Sequence, residues 1–162
     1  MEEFFLWDQH RYNCNRSTFI SMRLKVPALK QPKEYYCGPT SLRMVLKYYE
    51  EDHDEEKIQK LAETVPDVGS YGIGIACASQ LLGFQADYYT KSLEIGDSTS
   101  AKFAEKGINK NNVKTQFERL EKKAREAGVK IEEKYVPLDN ILGRISENCI
   151  PIVGTHIPHM MI

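Results

Sequence analysis

The sequence lacks an excess of either charge. Its 22 lysine and arginine residues face 23 aspartate and glutamate residues, which leaves a net charge of −1. It also lacks any apolar run close to the roughly 18 residues of a membrane-spanning helix. The acidic N-terminus MEEFFLWDQH is unlike a secretory signal peptide. These absences predict a cytoplasmic protein with no membrane span and no nucleic-acid partner.

Cysteine is scarce, and no two cysteines form a CxxC pair, which argues against a zinc ribbon or a thioredoxin-type motif. The four are Cys14, Cys37, Cys77 and Cys149. Without a secretory signal, free thiols in a reducing compartment are expected. Cys77 and Cys149 lie within apolar runs and are predicted to be small buried side chains. Neither a cofactor nor a bound metal is predicted.

Apolar residues make up 41% of the chain and charged residues 28%, the ordinary balance of a globular protein. The predicted organisation is an N-terminal extension over residues 1–21 and one domain over residues 22–162. Residues 91–137 are a possible insertion in that domain. The first 20 residues are expected to form a short docked helix or a tail. Because the sequence stops within the apolar run HMMI, the domain is expected to be truncated at its C-terminus.

The stretch QPKEYYCGPTSLRMVLKYY, residues 31–49, turns from extended chain into an amphipathic helix at Cys37. Apolar residues recur at helical spacing and define one buried face: Leu42, Val45, Leu46 and Tyr49. Pro39 suits the first helical turn, where its missing N–H costs nothing. A thiolate at such a helix start is stabilised by unpaired N–H groups and the helix dipole, so Cys37 is a candidate nucleophile.

Helix and strand patterns alternate along the chain after this stretch. Helices are predicted over residues 54–64, 75–82, 112–127 and 139–145, with Asp54, Asn112 and Asp139 as N-caps. Strands are predicted over residues 84–90, 129–135 and 149–154. The loop GSYGIG, residues 69–74, precedes the third helix. Tyrosines near Cys37, including Tyr35 and Tyr36, are predicted to be core and cleft-wall residues.

A thiol nucleophile needs a base and hydrogen-bond donors for the oxyanion. Gln31, on the extended approach to Cys37, has an amide N–H suited to the oxyanion. His156 and His159 are the late histidines, and either is a candidate base. Two other interpretations stay open: Cys37 as a merely buried cysteine, and a weak metal pair of the two histidines with Cys149.

The segments LKVPALKQ, CGPTSLRMVLKYY, QLLGFQADYY and NCIPIVGTHIPHMMI resemble papain-fold peptidases related to the bacteriocin-processing, double-glycine leader peptidases. The resemblance implies a papain-like α+β fold, with the nucleophile helix packed on an antiparallel sheet. It implies Cys37 as nucleophile, His159 as base, Gln31 as oxyanion donor and a peptide or peptide-like substrate. The Asp or Asn that completes the family's triad has no counterpart here. A catalytically silent peptide-binding module and a phytochelatin-type peptidyl transferase are therefore the alternatives.

Overall fold

The computed structural model describes residues 3–8, 24–94, 104–145 and 149–154, and the fold is given for these. Helices and strands alternate along most of the chain, and a short 3₁₀ turn at Glu34–Tyr36 leads into the first helix. The elements are β1 Glu3–Asp8, α1 Cys37–Tyr48, α2 Glu55–Ala62, α3 Gly72–Leu81, β2 Gln85–Thr90, α4 Lys110–Ala127, β3 Lys130–Glu133, α5 Leu138–Arg144 and β4 Ile152–Gly154. The predicted α+β class is confirmed.

The strands form one four-stranded sheet in the order β3-β2-β1-β4. β1 is antiparallel to both neighbours, with Glu3 opposite Thr90 of β2 and Gly154 of β4. β2 and β3 are parallel, with Asp87 opposite Lys130. The sheet is therefore mixed, and the expected antiparallel pairing holds for β1 with its two neighbours but not for β2 with β3. Parallel neighbours need a long crossover connection, and the segment that contains α4 provides it.

β1 lies between β2 and β4, so the expectation of a docked helix or a tail at the N-terminus was also wrong. A short apolar run such as FFLW is compatible with a helix or a strand. Here it forms a strand because it pairs with β2 on one side and β4 on the other. The predicted divisions at residues 1–21, 22–162 and 91–137 stay predictions.

α3 is the central helix and packs against α1, α2, α4 and β2. All residues from Gly72 to Ser79 are buried, as in a helix that is covered on every side. The helix begins three residues earlier than predicted, inside the segment GSYGIG. A Cβ atom added to Gly74 would lie 2.3 Å from the carbonyl oxygen of Ala62. This glycine therefore permits close helix packing and does not mark a loop.

The ends of the other helices follow the sequence signals in part. The Asp54 carboxylate accepts a hydrogen bond from the N–H of Glu56 at 3.3 Å, as its predicted N-cap role requires. α4 is capped by Asn109, whose side chain accepts from the N–H of Asn111 at 2.8 Å, so the predicted cap at Asn112 was wrong. Pro137, not Asp139, occupies the N-cap position of α5.

The main hydrophobic core joins α1–α4 to β2, and a smaller cluster contains Tyr89, Val136, Ile141 and Cys149. The predicted burial of Cys77 and Cys149 is confirmed. Within the described ranges, no helix combines the length and the apolar content that crossing a membrane would need.

Candidate functional site

An open cleft of about 430 Å³ lies beside the start of α1. Three separate parts of the chain line it: the 3₁₀ turn, the α2–α3 connection and the turn that precedes α4. The lining residues are Lys33, Glu34, Tyr35, Asp67 and Lys106. Four of these side chains are exposed and Tyr35 is half-buried. The cleft therefore combines two cations, two carboxylates and one aromatic ring.

Side-chain hydrogen bonds of Gln31 and Tyr36 hold the 3₁₀ turn in place. The Gln31 amide Nε2 donates hydrogen bonds to the carbonyl oxygens of Lys33 and Glu34, each at 3.0 Å. Tyr36 is buried, and its hydroxyl donates to Oε1 of Gln59 on α2 at 2.5 Å. This fixes the backbone that carries Lys33, Glu34 and Tyr35 relative to α2.

Lys33 lies over two aromatic rings. Its Nζ atom is 5.7 Å from the centroid of the Tyr35 ring and 5.6 Å from that of Tyr36. Both distances fall within the range of cation–π attraction. The hydrogen bond with Tyr35 and the charge interactions with Tyr35 and Tyr36 raise the pKa of Lys33 above its usual value. Lys33 is a cation near neutral pH, as exposed lysines are, and it lines the cleft.

Asp67 enters the cleft from a tight turn. The N–H of Val65 donates to the carbonyl oxygen of Gly69 at 2.8 Å, and the N–H of Gly69 donates back to Val65 at 2.9 Å. Asp67 has φ 60°, a left-handed conformation that Asp and Asn adopt more readily than most residues. Its carboxylate is exposed and makes no hydrogen bond or ion pair with the rest of the described chain.

The predicted site residues are only partly described. Cys37 is the first residue of α1, and its thiol is exposed. The next residue, Gly38, passes close to α3, since an added Cβ would lie 2.9 Å from Cδ1 of Ile75. Both donors of the Gln31 amide point to the 3₁₀ turn. His156 and His159 lie outside the described residues, so their pairing with Cys37 stays a prediction.

Sequence reasoning found only part of the cleft. Tyr35 lines it and Tyr36 is buried, in agreement with their prediction as cleft-wall and core residues. The charged residues Lys33, Glu34, Asp67 and Lys106 were missed, because they come from three segments with no motif spacing between them. Among the described residues, no group of three or more His, Cys, Asp or Glu side chains is placed to hold a metal ion.

Comparison with known families shows the family of this chain. Residues 26–159 match the model of the family described as guanylylate cyclase. The chain belongs to this family. The match contains every residue of the cleft, together with Gln31 and Cys37. Searches among curated proteins and among solved structures found no match.

Membership of the guanylylate cyclase family overturns the peptidase interpretation. The chain is not identified as a papain-fold or bacteriocin-processing peptidase, and the predicted cysteine-protease activity on a peptide substrate was wrong. The peptide-binding and peptidyl-transfer alternatives are not supported either. The resemblance depended on four short segments, among them those that contain Gln31, Cys37 and His159, whereas the family match extends over most of the chain.

Proposed function

We propose that this protein is a guanylylate cyclase that binds a guanine nucleoside triphosphate in the cleft beside α1. The family match over residues 26–159, which includes the whole cleft, carries this proposal. In the reaction the ribose 3′-hydroxyl attacks the α-phosphorus. The O3′–P bond forms, the bond to the β-phosphate oxygen breaks, and pyrophosphate leaves with the electron pair. The hydroxyl proton passes to a base or to water.

Lys33 and Lys106 are the residues that suit the triphosphate. Negative charge develops on the pyrophosphate as it leaves, and fixed cations placed near that charge lower the barrier. Lysine is a common point-charge partner of phosphate groups. Lys33 is charged near neutral pH, as any exposed lysine is, and the Gln31 hydrogen bonds hold its backbone in place. Gln31 is therefore a positioning residue in this proposal.

Glu34 follows Lys33 directly in the chain and adds a carboxylate to the lining of the cleft. Mg²⁺ is commonly held by one or two carboxylates together with substrate phosphates. Because the described residues contain no cluster of three or more such ligands, this donor set fits an ion that arrives with the triphosphate. Such an ion, when bound, would neutralise charge on the phosphates. Glu34 would then hold one side of it while Lys33 contacts the phosphate oxygens.

Two earlier predictions remain beside the cyclase proposal. One is that α1 packs on the sheet in a papain-like arrangement. The other is that Cys37 and His159 belong to the site with Gln31. Cys37 is two residues from Tyr35 and exposed, which is compatible with a place at the edge of the cleft. In the cyclase proposal, Cys37 and His159 have no role in peptide cleavage.

The test is to incubate the purified chain with GTP and Mg²⁺ or Mn²⁺, and to quantify cyclic GMP and pyrophosphate by mass spectrometry. Lys33→Gln should lower kcat/KM by roughly tenfold or more, because a cation facing the leaving group is lost. Lys122→Gln is the matched control. Lys122 is exposed on α4, and among the described residues its ion-pair partner is Glu126 of the same helix, at 3.9 Å. Lys122→Gln should leave kcat/KM unchanged.

Two results would contradict the proposal. One is the absence of cyclic GMP from the wild-type chain with either metal ion. The other is an equal effect of both lysine substitutions, which would show that the cleft is not where the triphosphate binds.

A further inference from the structure

The cleft contains two carboxylates that differ in their surroundings. Glu34 is the chain neighbour of Lys33, which we assign to the phosphates. Asp67 comes from the α2–α3 connection, a separate part of the chain. We infer that Asp67 recognises the guanine base of the substrate. This inference rests on the proposed cyclase function.

The Asp67 carboxylate is exposed on a turn whose backbone is fixed, and both properties suit recognition of a base. The two hydrogen bonds between Val65 and Gly69 close the turn around it and fix its backbone. The exposed carboxylate has no competing hydrogen bond or ion pair from the described residues. Both oxygens are therefore available as hydrogen-bond acceptors to a ligand in the cleft.

Guanine is complementary to this group. Its N1–H and its exocyclic N2 amino group are adjacent donors on one edge of the base, so the two oxygens of a carboxylate can accept from both. Adenine has an unprotonated N1 at the equivalent position, which a carboxylate repels. The half-buried ring of Tyr35, with Lys33 over it, also lines the cleft, so a base that reaches Asp67 lies near an aromatic side chain. The cleft therefore offers a carboxylate to the base and cations to the phosphates.

Asp67→Asn is the decisive substitution. An Asn side chain has nearly the same size and tolerates φ 60° as well as Asp does, so the turn should keep its shape. The amide keeps one acceptor but replaces the other with a donor. Xanthine has N1–H beside a C2 carbonyl, which matches an amide. Asp67→Asn should therefore change the preferred nucleotide from GTP to xanthosine triphosphate.

The experiment measures Kd and kcat/KM of GTP, xanthosine triphosphate and ATP for the wild type, Asp67→Asn and Glu34→Gln. The wild type should prefer GTP. Asp67→Asn should weaken GTP roughly 10- to 100-fold and favour xanthosine triphosphate, as expected for one bidentate contact with a base. Glu34→Gln should weaken all three nucleotides without changing their order. Equal melting temperatures would show that both variants are folded.

The outcomes separate the two proposals. If the wild type binds and cyclises GTP but Asp67→Asn keeps the wild-type preference, the inference about Asp67 is overturned and the cyclase proposal stands. If Asp67→Asn weakens every nucleotide equally, base recognition by Asp67 is likewise overturned, in favour of a phosphate or metal role. If the wild type neither binds nor cyclises GTP, both proposals are overturned.

Discussion

Single residues control how closely the helices approach each other. Gly74 in α3 faces the backbone of α2, where a Cβ atom would lie 2.3 Å from the carbonyl oxygen of Ala62. A backbone atom cannot move aside without shifting its helix. At Gly38 the nearest atom to an added Cβ is Cδ1 of Ile75, at 2.9 Å, the end of a flexible side chain. The requirement for glycine is therefore stricter at position 74 than at position 38.

Gly74→Ala should lower the free energy of unfolding by about 2–3 kcal/mol, because the added methyl group overpacks the contact between α2 and α3. Gly143→Ala is the control. Gly143 is exposed on α5 and has no atom within 4 Å of an added Cβ, so alanine should stabilise by about 0.5–1 kcal/mol. Urea denaturation of both variants measures the difference. Equal changes of the same sign would show that helix propensity, and not packing, governs position 74.

At the scale of elements, one carboxylate joins α2 to α4. Glu63 follows α2 in a left-handed conformation, with φ 51°. Its side chain is 20% exposed, accepts a hydrogen bond from Arg119 and pairs with Nζ of Lys123 at 2.9 Å. Lys123 Nζ also lies 3.5 Å from the carbonyl oxygen of Leu61. This network couples the end of α2 to a helix about 60 residues later in the chain.

Glu63→Gln should therefore destabilise the fold by about 1 kcal/mol, the upper range for an ion pair near the surface. Glu118→Gln removes an exposed i,i+4 pair with Lys114 at 3.9 Å and should cost about 0.3 kcal/mol or less. In 1 M NaCl the Glu63→Gln effect should shrink, because salt screens the ion pairs. Thermal and urea unfolding at low and high salt measure this. An unchanged Glu63→Gln effect in high salt would point to packing instead of charge.

The elements that were predicted correctly are those whose sequence signals lie within the element itself. α1 has its apolar stripe and Pro39, and α2 has Asp54 as its cap, so both lie where the pattern placed them. The start of α3 was missed because its glycines serve contacts with another helix. β1 was missed because only pairing with distant strands defines it. Local patterns cannot show either effect, since both depend on residues far away in sequence.

At the scale of the whole molecule, the sheet and the cleft are assembled from distant segments. Asp67 and Lys106 join the turn at Lys33 only because α2, α3 and α4 pack together. The sequence could show the helix start at Cys37, but it gave no indication of the charged cleft beside it. The peptidase function was predicted wrongly for a related reason. The prediction depended on short segments, whereas the family match extends over residues 26–159.

β1 is the element on which the sheet most depends, so its removal tests the fold as a unit. Among the described strands, β4 pairs with β1 alone, and β2 would lose its neighbour on one side. Deleting residues 3–8 should lower the free energy of unfolding by several kcal/mol, a large share of the 5–15 kcal/mol typical of a domain. The urea m-value should also fall, because the remaining structure buries less surface.

Deletion of residue 2 alone is the matched control, because it leaves the strand Glu3–Asp8 intact and should change neither quantity. Circular dichroism and urea unfolding compare the two deletions with the full chain. Equal stability of the two would show that the sheet forms without β1, and that β4 has another partner. A loss confined to the longer deletion would show that the first residues of the chain are part of the cooperative fold that carries the cleft.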